Sequence, residues 1–225
     1  MMLRSLALLA ALVCSAAASA QLQGKTICLD TGHPSEVGRG TKGKRLTELR
    51  VVWNMALLLK PRLERMGAKV VMTKRSLNQM VKNRDRAAVA NQSKADLMLR
   101  LHCDAAAGSG FAVFYPDRQG KSQGVTGPSK AMLAKVEPMA TRFHASLAEA
   151  LKGKLGDLGL KSDAKTAVGS KQGALTGSIF SKVPSILVEL VVLTNPKDEA
   201  FIASARGRRQ YADALAKAVA ASLRG

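Results

Sequence analysis

Short apolar runs alternate with segments of helical periodicity along this chain, and this alternation is the feature that most constrains its fold. The apolar runs lie at residues 26–29, 70–72, 97–101, 111–115 and 186–192. Apolar residues at helical spacing occupy residues 47–66, 83–91, 129–155 and 206–223. Strands that alternate with helices predict an α/β fold, since a crossover helix returns the chain to a parallel neighbour. We expect a mainly parallel twisted sheet of about six strands with helices on both faces.

The first 20 residues have the features of an export signal. Arg4 precedes an apolar stretch at residues 6–13, and the small residues Ala18, Ser19 and Ala20 follow. The stretch is shorter than the ~20 residues that span a bilayer. We therefore predict a signal peptide at residues 1–20, one domain at residues 21–225, and a location in the periplasm or outside the cell.

The charge balance restricts the class of partner. The chain carries 35 Lys and Arg against 16 Asp and Glu, a formal charge of +19, to which the leader contributes only Arg4. A basic exported protein is attracted to wall polymers or acidic lipid surfaces, and the alternative is a solvated basic face. We expect peripheral contact with such polyanions and a monomeric state. A nucleic-acid partner is disfavoured because no recognition module is present.

Two cysteines remain once the leader, with Cys14, is removed. Cys28 and Cys103 both lie in apolar runs. An oxidising compartment permits one disulfide between them, while small thiols in strands are also commonly buried and unpaired. The sequence leaves both outcomes open.

Three ionisable residues lie at or near the ends of predicted strands. His33 follows the first strand, His102 follows residues 97–101, and Glu189 lies within residues 186–192, while Glu48 begins the first long helix. Because the carboxyl ends of parallel strands border one crevice, these side chains are expected to converge. Two imidazoles and a carboxylate are a common ligand set for catalytic zinc, and a second carboxylate can accept a proton from water.

These residues belong to a series of short motifs that follow in a fixed order. The series comprises Asp30-Thr31-Gly32-His33, Glu48, Arg86 to Asn91, Ala95-Asp96-Leu97, Arg100 to Asp104, Gly110 to Tyr115, Leu187-Val188-Glu189 and Thr194-Asn195. Through it, the chain from Lys25 to Leu223 resembles the zinc-dependent N-acetylmuramoyl-L-alanine amidases, which cut peptidoglycan.

The resemblance implies roles for four side chains. His33, Glu48 and His102 would hold Zn²⁺, and Glu189 would be the catalytic carboxylate. The implied substrate is peptidoglycan or its muropeptides, cut at the amide between N-acetylmuramic acid and L-alanine. Glu189 would accept the proton of the attacking water and return it to the leaving amine.

Some positions depart from the family pattern. Pro34, Ser35 and Glu36 follow His33 where further glycine is usual, while Arg100 and Asp104 replace a serine and an asparagine. These changes predict a different pocket rim and different partners for the ligands. No long helical insert separates His102 from Glu189, so the site is expected to be open without an activator.

Two further functions remain open from the sequence. A zinc carboxypeptidase would use the same centre and substrate, and a non-catalytic peptidoglycan-binding or regulatory protein would keep the fold alone. Several other residues have alternative roles. His144 is expected on a helix surface, Glu36 is either a spare ligand or a loop acid, and Arg86 and Asn91 are expected to brace the fold. The basic loop residues Lys42, Lys44 and Arg45 are either solvated or in contact with substrate carboxylates.

Overall fold

The computed structural model describes residues 21–224. The predicted signal peptide at residues 1–20, with Cys14, lies outside the described residues. Among the helices that are described, none is both long enough and apolar enough to cross a membrane.

Eight strands follow the sequence in order. They are β1 (Thr26–Thr31), β2 (Lys69–Met72), β3 (Leu97–Asp104), β4 (Phe111–Tyr115), β5 (Gly120–Ser122), β6 (Val125–Gly127), β7 (Asp157–Ser162) and β8 (Ser185–Val192). Six of them form a sheet in the order β2-β1-β3-β8-β4-β7. Neighbours are parallel throughout except β8 and β4, which pair antiparallel. The predicted six-stranded, mainly parallel sheet is therefore confirmed.

Four long helices match the predicted periodic segments. They are α1 (Glu48–Arg65), α2 (Asn83–Gln92), α3 (Lys130–Leu151) and α7 (Ala205–Ser222). Shorter helices are α4 (Gly169–Gln172), α5 (Thr176–Phe180) and α6 (Pro196–Ala203), and a 3-10 turn spans Asp163–Lys165. The segment at residues 119–128 forms the largely exposed hairpin β5–β6.

Alternation along the central strands separates two faces of the sheet. Ile27, Leu29, Leu99, Leu101 and Val188 pack in the larger core, beneath α1, α3 and α7. The intervening positions face the other side, where Cys28 and Met98 pack with Ala90 of α2. Because side chains alternate with period two, Asp30, Arg100, His102 and Glu189 all project from this second face. The helices on both faces were predicted, and the polar face is where the functional residues lie.

The same alternation excludes a disulfide within the sheet. Cys28 lies in the cluster on the second face and Cys103 in the core on the first, and both are free and buried. Side chains on opposite faces cannot bring their sulfur atoms to bonding distance. Of the two outcomes that the sequence left open, buried thiols are the correct one.

Candidate metal centre

His33 lies two residues beyond β1, in a loop whose carbonyls are bound by buried cations. Arg86 donates to the carbonyl oxygens of Thr31 and, at 3.0 Å, of Pro34. Lys74 donates to the carbonyl of His33 itself. His33 has a positive φ of 53°, a conformation that non-glycine residues seldom adopt. These bonds hold the loop so that the imidazole points towards the sheet.

Glu48 is the first residue of α1 and is buried. One carboxylate oxygen, Oε2, accepts the backbone N–H of Thr41 at 2.8 Å. The other, Oε1, accepts the backbone N–H of Cys103 at 3.1 Å. The carboxylate is therefore oriented by two elements that are distant in sequence.

His102 lies near the end of β3, with its ring against the backbone that follows β1. A Cβ added to Gly32 would lie only 2.6 Å from Cε1 of His102. Real Cβ atoms do not approach so closely, so glycine is required for the ring to lie here.

The three predicted ligands meet in one cluster. Oε1 of Glu48 lies 3.3 Å from Nε2 of His33 and 3.0 Å from Nδ1 of His102. Three ligand atoms, one from each residue, lie within 4.8 Å of one another. Tetrahedral zinc with bonds of about 2.1 Å places neighbouring ligands about 3.4 Å apart. The donor set and its spacing therefore fit a metal ion.

The protonation of His33 supports the same conclusion. Its Nδ1 lies 3.0 Å from the carbonyl oxygen of Gly38, which can only accept, so Nδ1 carries the hydrogen. In a neutral ring, Nε2 then presents its lone pair to the carboxylate of Glu48. Two acceptors that face each other require a cation or a proton between them. Such a second-sphere bond to a backbone carbonyl is typical of histidines that bind metals.

The pKa values of His33, Glu48 and His102 depend on one another and on burial. Burial opposes the charge of Glu48, but contacts with His102 and His33 outweigh it and hold the pKa of Glu48 well below its usual range. Burial also opposes the charge of His33, and Glu48 outweighs it, so the pKa of His33 is raised. For His102 burial prevails, and its pKa is lowered. A neutral His102 is the form that binds metal.

Glu189 lies directly across from His102, as the pairing of β8 with β3 places the two residues in register. Burial, followed by the negative charges of Glu48 and Asp104, raises the pKa of Glu189 well above its ordinary value. Oε2 of Glu189 and Nε2 of His102 are shielded from solvent and have no hydrogen-bond partner among residues 21–224. Unsatisfied buried polar atoms are costly, and a bound ion, water or ligand between these two residues would satisfy them.

A cavity of about 230 Å³ opens onto these residues. Its polar lining includes His33, His102 and Glu189, together with Asn83 and Arg100. The apolar part of the lining is formed by Val37, Ala167, Val168, Leu175 and Leu187. The predicted carboxylate and two of the three predicted ligands thus border one cavity, and Glu48 lies behind them.

A buried network supports the loop that carries His33. Asp30 accepts from Arg86 at 2.7 Å, from Thr73 at 2.7 Å and from Arg100 at 3.0 Å. Arg100 also donates to Asn83 at 2.7 Å. Burial opposes the charge of Asp30, but Arg86 and Arg100 hold the pKa of Asp30 well below its usual range. Arg100, which replaces a serine, is therefore a structural partner of Asp30.

The remaining sequence candidates lie outside the cluster. Glu36 accepts the backbone N–H of Asn83 at 2.9 Å and so anchors the start of α2, and it is not part of the cluster of His33, Glu48 and His102. His144 lies on α3, which packs on the opposite face of the sheet, and its Nε2 is 2.9 Å from Oδ1 of Asp157. Asn91 accepts from the backbone of Lys182.

Sequence reasoning overlooked Glu199. This acid, in the first turn of α6, accepts the backbone N–H groups of Arg45 at 2.7 Å and of Leu46 at 2.8 Å. It thereby holds the loop that ends at Glu48. The available signal was an Asn-Pro pair that begins a helix with Asp198 and Glu199 in its first turn.

Comparisons with known proteins agree with this geometry. Residues 27–221 match the family described as N-acetylmuramoyl-L-alanine amidase. The N-acetylmuramoyl-L-alanine amidase Rv3717 of Mycobacterium tuberculosis is 29% identical over 93% of this chain and 90% of its own length. The structure of the amidase Ami1 from Mycobacterium smegmatis is similar with a TM-score of 0.73 at 24% identity, over 90% of this chain and 98% of that one. The structure of the apo form of Ami1 from Mycobacterium abscessus is similar with a TM-score of 0.69 at 25% identity, over 90% of this chain and 100% of that one.

Proposed function

The chain belongs to the N-acetylmuramoyl-L-alanine amidase family and is a peptidoglycan amidase, and from that premise we propose that it is a zinc enzyme exported from the cytoplasm. The observation that carries the proposal is the cluster of His33, Glu48 and His102 beside the carboxyl of Glu189. Two imidazoles and one carboxylate leave a fourth position of a tetrahedral site open, as catalytic zinc requires.

His33, Glu48 and His102 would hold the zinc ion. When bound, zinc supplies a Lewis acid that polarises the substrate carbonyl and lowers the pKa of water. Glu48 contributes one negative charge, and the backbone N–H groups of Thr41 and Cys103 fix its direction. The hydrogen bond from His33 to Gly38 keeps Nε2 aimed at the cluster.

Glu189 is the proposed proton carrier. In the absence of a cation its raised pKa favours the protonated carboxyl, and a nearby divalent cation favours the carboxylate. As a carboxylate it accepts a proton from the attacking water and donates it to the leaving amine of L-alanine. No other carboxylate of the described residues lines this cavity.

The substrate enters from the open side of the cavity. The apolar wall around Val168 and Leu175 suits the uncharged part of a muramyl peptide and excludes water from the scissile amide. Peptidoglycan or its muropeptides are the proposed substrates. The excess of Lys and Arg over Asp and Glu, which persists without Arg4 of the leader, supports peripheral attraction to wall or membrane polyanions. We also propose a monomeric state.

The test is zinc quantification of the purified protein and digestion of muropeptides with and without a chelator. We expect one zinc per chain and products that carry a free lactyl carboxylate and an intact stem peptide. Products cut within the stem would indicate a carboxypeptidase instead. A protein that neither contains nor binds zinc and releases nothing would be a non-catalytic relative.

The role of Glu189 has its own test. Glu189→Gln keeps the size of the side chain and removes the proton acceptor, so turnover should fall by at least about 100-fold with zinc retained. Glu137→Gln, which changes an exposed glutamate on α3, is the matched control. Release of stem peptides at the parent rate by Glu189→Gln would contradict the assignment.

A further inference from the structure

A second, basic pocket adjoins the metal cluster. It has a volume of about 380 Å³ and is formed by the loop before α1, the first turn of α1 and the loop after β2. Three cationic side chains border it, those of Arg39, Lys42 and Arg50, together with Asn78. No carboxylate of the described residues is part of its lining.

The three cations are available to a ligand. All three are exposed, and the ion pairs formed within residues 21–224 involve other lysines and arginines. Thr47, which precedes α1 without a side-chain cap, lines the same pocket beside them. Three unpaired cations around one concave surface favour a multidentate oxyanion.

The pocket shares a wall with the metal cluster. The backbone of Gly40 and Thr41 lines the pocket on one side. On the other side, Thr41 donates to Glu48, and a Cβ on Gly40 would lie 2.6 Å from Oε2 of Glu48 and 2.7 Å from Cδ2 of His33. A molecule bound in the pocket is thus separated from the cluster by one layer of backbone.

We propose that this basic pocket, of Arg39, Lys42 and Arg50, binds a free carboxylate on the peptide stem of the substrate. The inference rests on the proposed function, because a muramyl peptide reaching the metal cluster must extend over an adjoining surface. For a carboxylate on the same molecule, binding in the pocket is an intramolecular step, whereas an unconnected phosphate of a wall polymer has no such advantage. The pocket therefore makes the enzyme selective for stems that carry a free acid over stems that carry the amide.

The experiment compares two synthetic muramyl peptides that differ only in one stem group, carboxylate or carboxamide. The parent enzyme should show a higher kcat/KM for the acid, with the difference mainly in KM. Substituting glutamine at Arg39, Lys42 and Arg50 together should reduce the acid-to-amide ratio of kcat/KM about tenfold. Glutamine at Lys152, Arg209 and Lys217, three exposed residues of α7 and the end of α3, removes the same charge and should keep the parent ratio.

The outcomes separate this inference from the proposed function. If neither peptide is cut by the zinc-loaded parent, the proposed function fails. If both are cut equally by the parent and the pocket variant alike, the amidase stands and the pocket proposal is overturned. It is also overturned if the pocket variant keeps the parent ratio but loses retention on anionic wall polymer, since that result assigns the pocket to polymer phosphates.

Discussion

Replacing Gly32 with alanine is expected to weaken metal binding through the position of one ring. The added Cβ would lie 2.6 Å from Cε1, 2.8 Å from Nδ1 and 2.9 Å from Nε2 of His102. Ordinary contact begins at 3.4 Å, so the ring must retreat by about 0.8 Å. Gly32 itself is held in place, because its N–H donates to the carbonyl of Leu101 at 2.9 Å.

The ring cannot retreat and stay in the cluster. Its Nδ1 lies 3.0 Å from Oε1 of Glu48, and distances in a metal site are restricted to about 0.2 Å around their ideal values. A displacement of about 0.8 Å exceeds that tolerance severalfold. We expect zinc affinity to fall by about 10–100-fold, the usual effect of disturbing ligand orientation, and activity at limiting zinc to fall with it.

A competition titration against a chromogenic zinc chelator measures this loss, and thermal unfolding without zinc reports on the fold. Gly207→Ala is the steric control, since its Cβ would lie 2.0 Å from the carbonyl oxygen of Phe201 at the junction of α6 and α7. This control should unfold at a lower temperature and yet bind zinc normally once folded. Parent zinc affinity in Gly32→Ala would refute the reasoning.

Three further predictions concern stability and the buried thiols. Asp30→Asn leaves two buried guanidinium groups without a counter-charge and should lower the free energy of unfolding, measured by urea denaturation, by about 3–5 kcal/mol. The control Thr73→Val removes only a neutral partner of Asp30 and should lower it by about 1 kcal/mol. Equal losses in the two variants would contradict the ion-pair argument. The pKa of Asp30 is lower in the folded than in the unfolded protein, so its stabilisation is present above the unfolded pKa of about 3.9 and is lost as pH falls towards the folded pKa. The parent should therefore lose more free energy of unfolding than Asp30→Asn as the pH is lowered from about 5. Parallel plots of the free energy of unfolding against pH would exclude this linkage. Burial raises the pKa of the Cys28 and Cys103 thiols. A thiol reagent at neutral pH should therefore modify both cysteines in denaturant and neither in the native protein within the same time. Rapid labelling of the native protein would instead show that the strands open readily.

The long, periodic elements were predictable because their signals are local. Apolar spacing located α1, α2, α3 and α7, and continuous apolar runs located the central strands, whose burial on both faces requires such runs. Strand β7 was not predicted because its sequence, DLGLKS, contains two charged residues and a glycine. Within the described sheet, β7 is an edge strand that pairs only with β4, so its residues need not be apolar. It is a strand because its backbone pairs with β4, a contact that its own sequence does not indicate.

The members of the cluster of His33, Glu48 and His102 were likewise predictable, but their supporting contacts were not. The order of motifs identified His33, Glu48, His102 and Glu189. Nothing local indicates that Glu199 holds the loop before α1, because that contact joins residues 154 positions apart in sequence. The importance of Gly32 is equally hidden, since it depends on a ring delivered by another strand.

The sequence by itself determined which side chains of one strand share a face, because alternation along a strand is a property of the backbone. Arg100 and His102, two residues apart in β3, therefore share one side, whereas the pairing of β1 and β8 with β3 decides that Asp30 and Glu189 join them. Only the tertiary structure decided which of them pair. Asp30 and Arg100, 70 positions apart in sequence, meet because β1 and β3 are neighbours in register. The same packing allows Arg100, which stands where the family has a serine, to be buried as the partner of Asp30. Hydrogen bonds and charges depend on distances of a few ångströms between separate elements, and those distances exist only after the elements have packed.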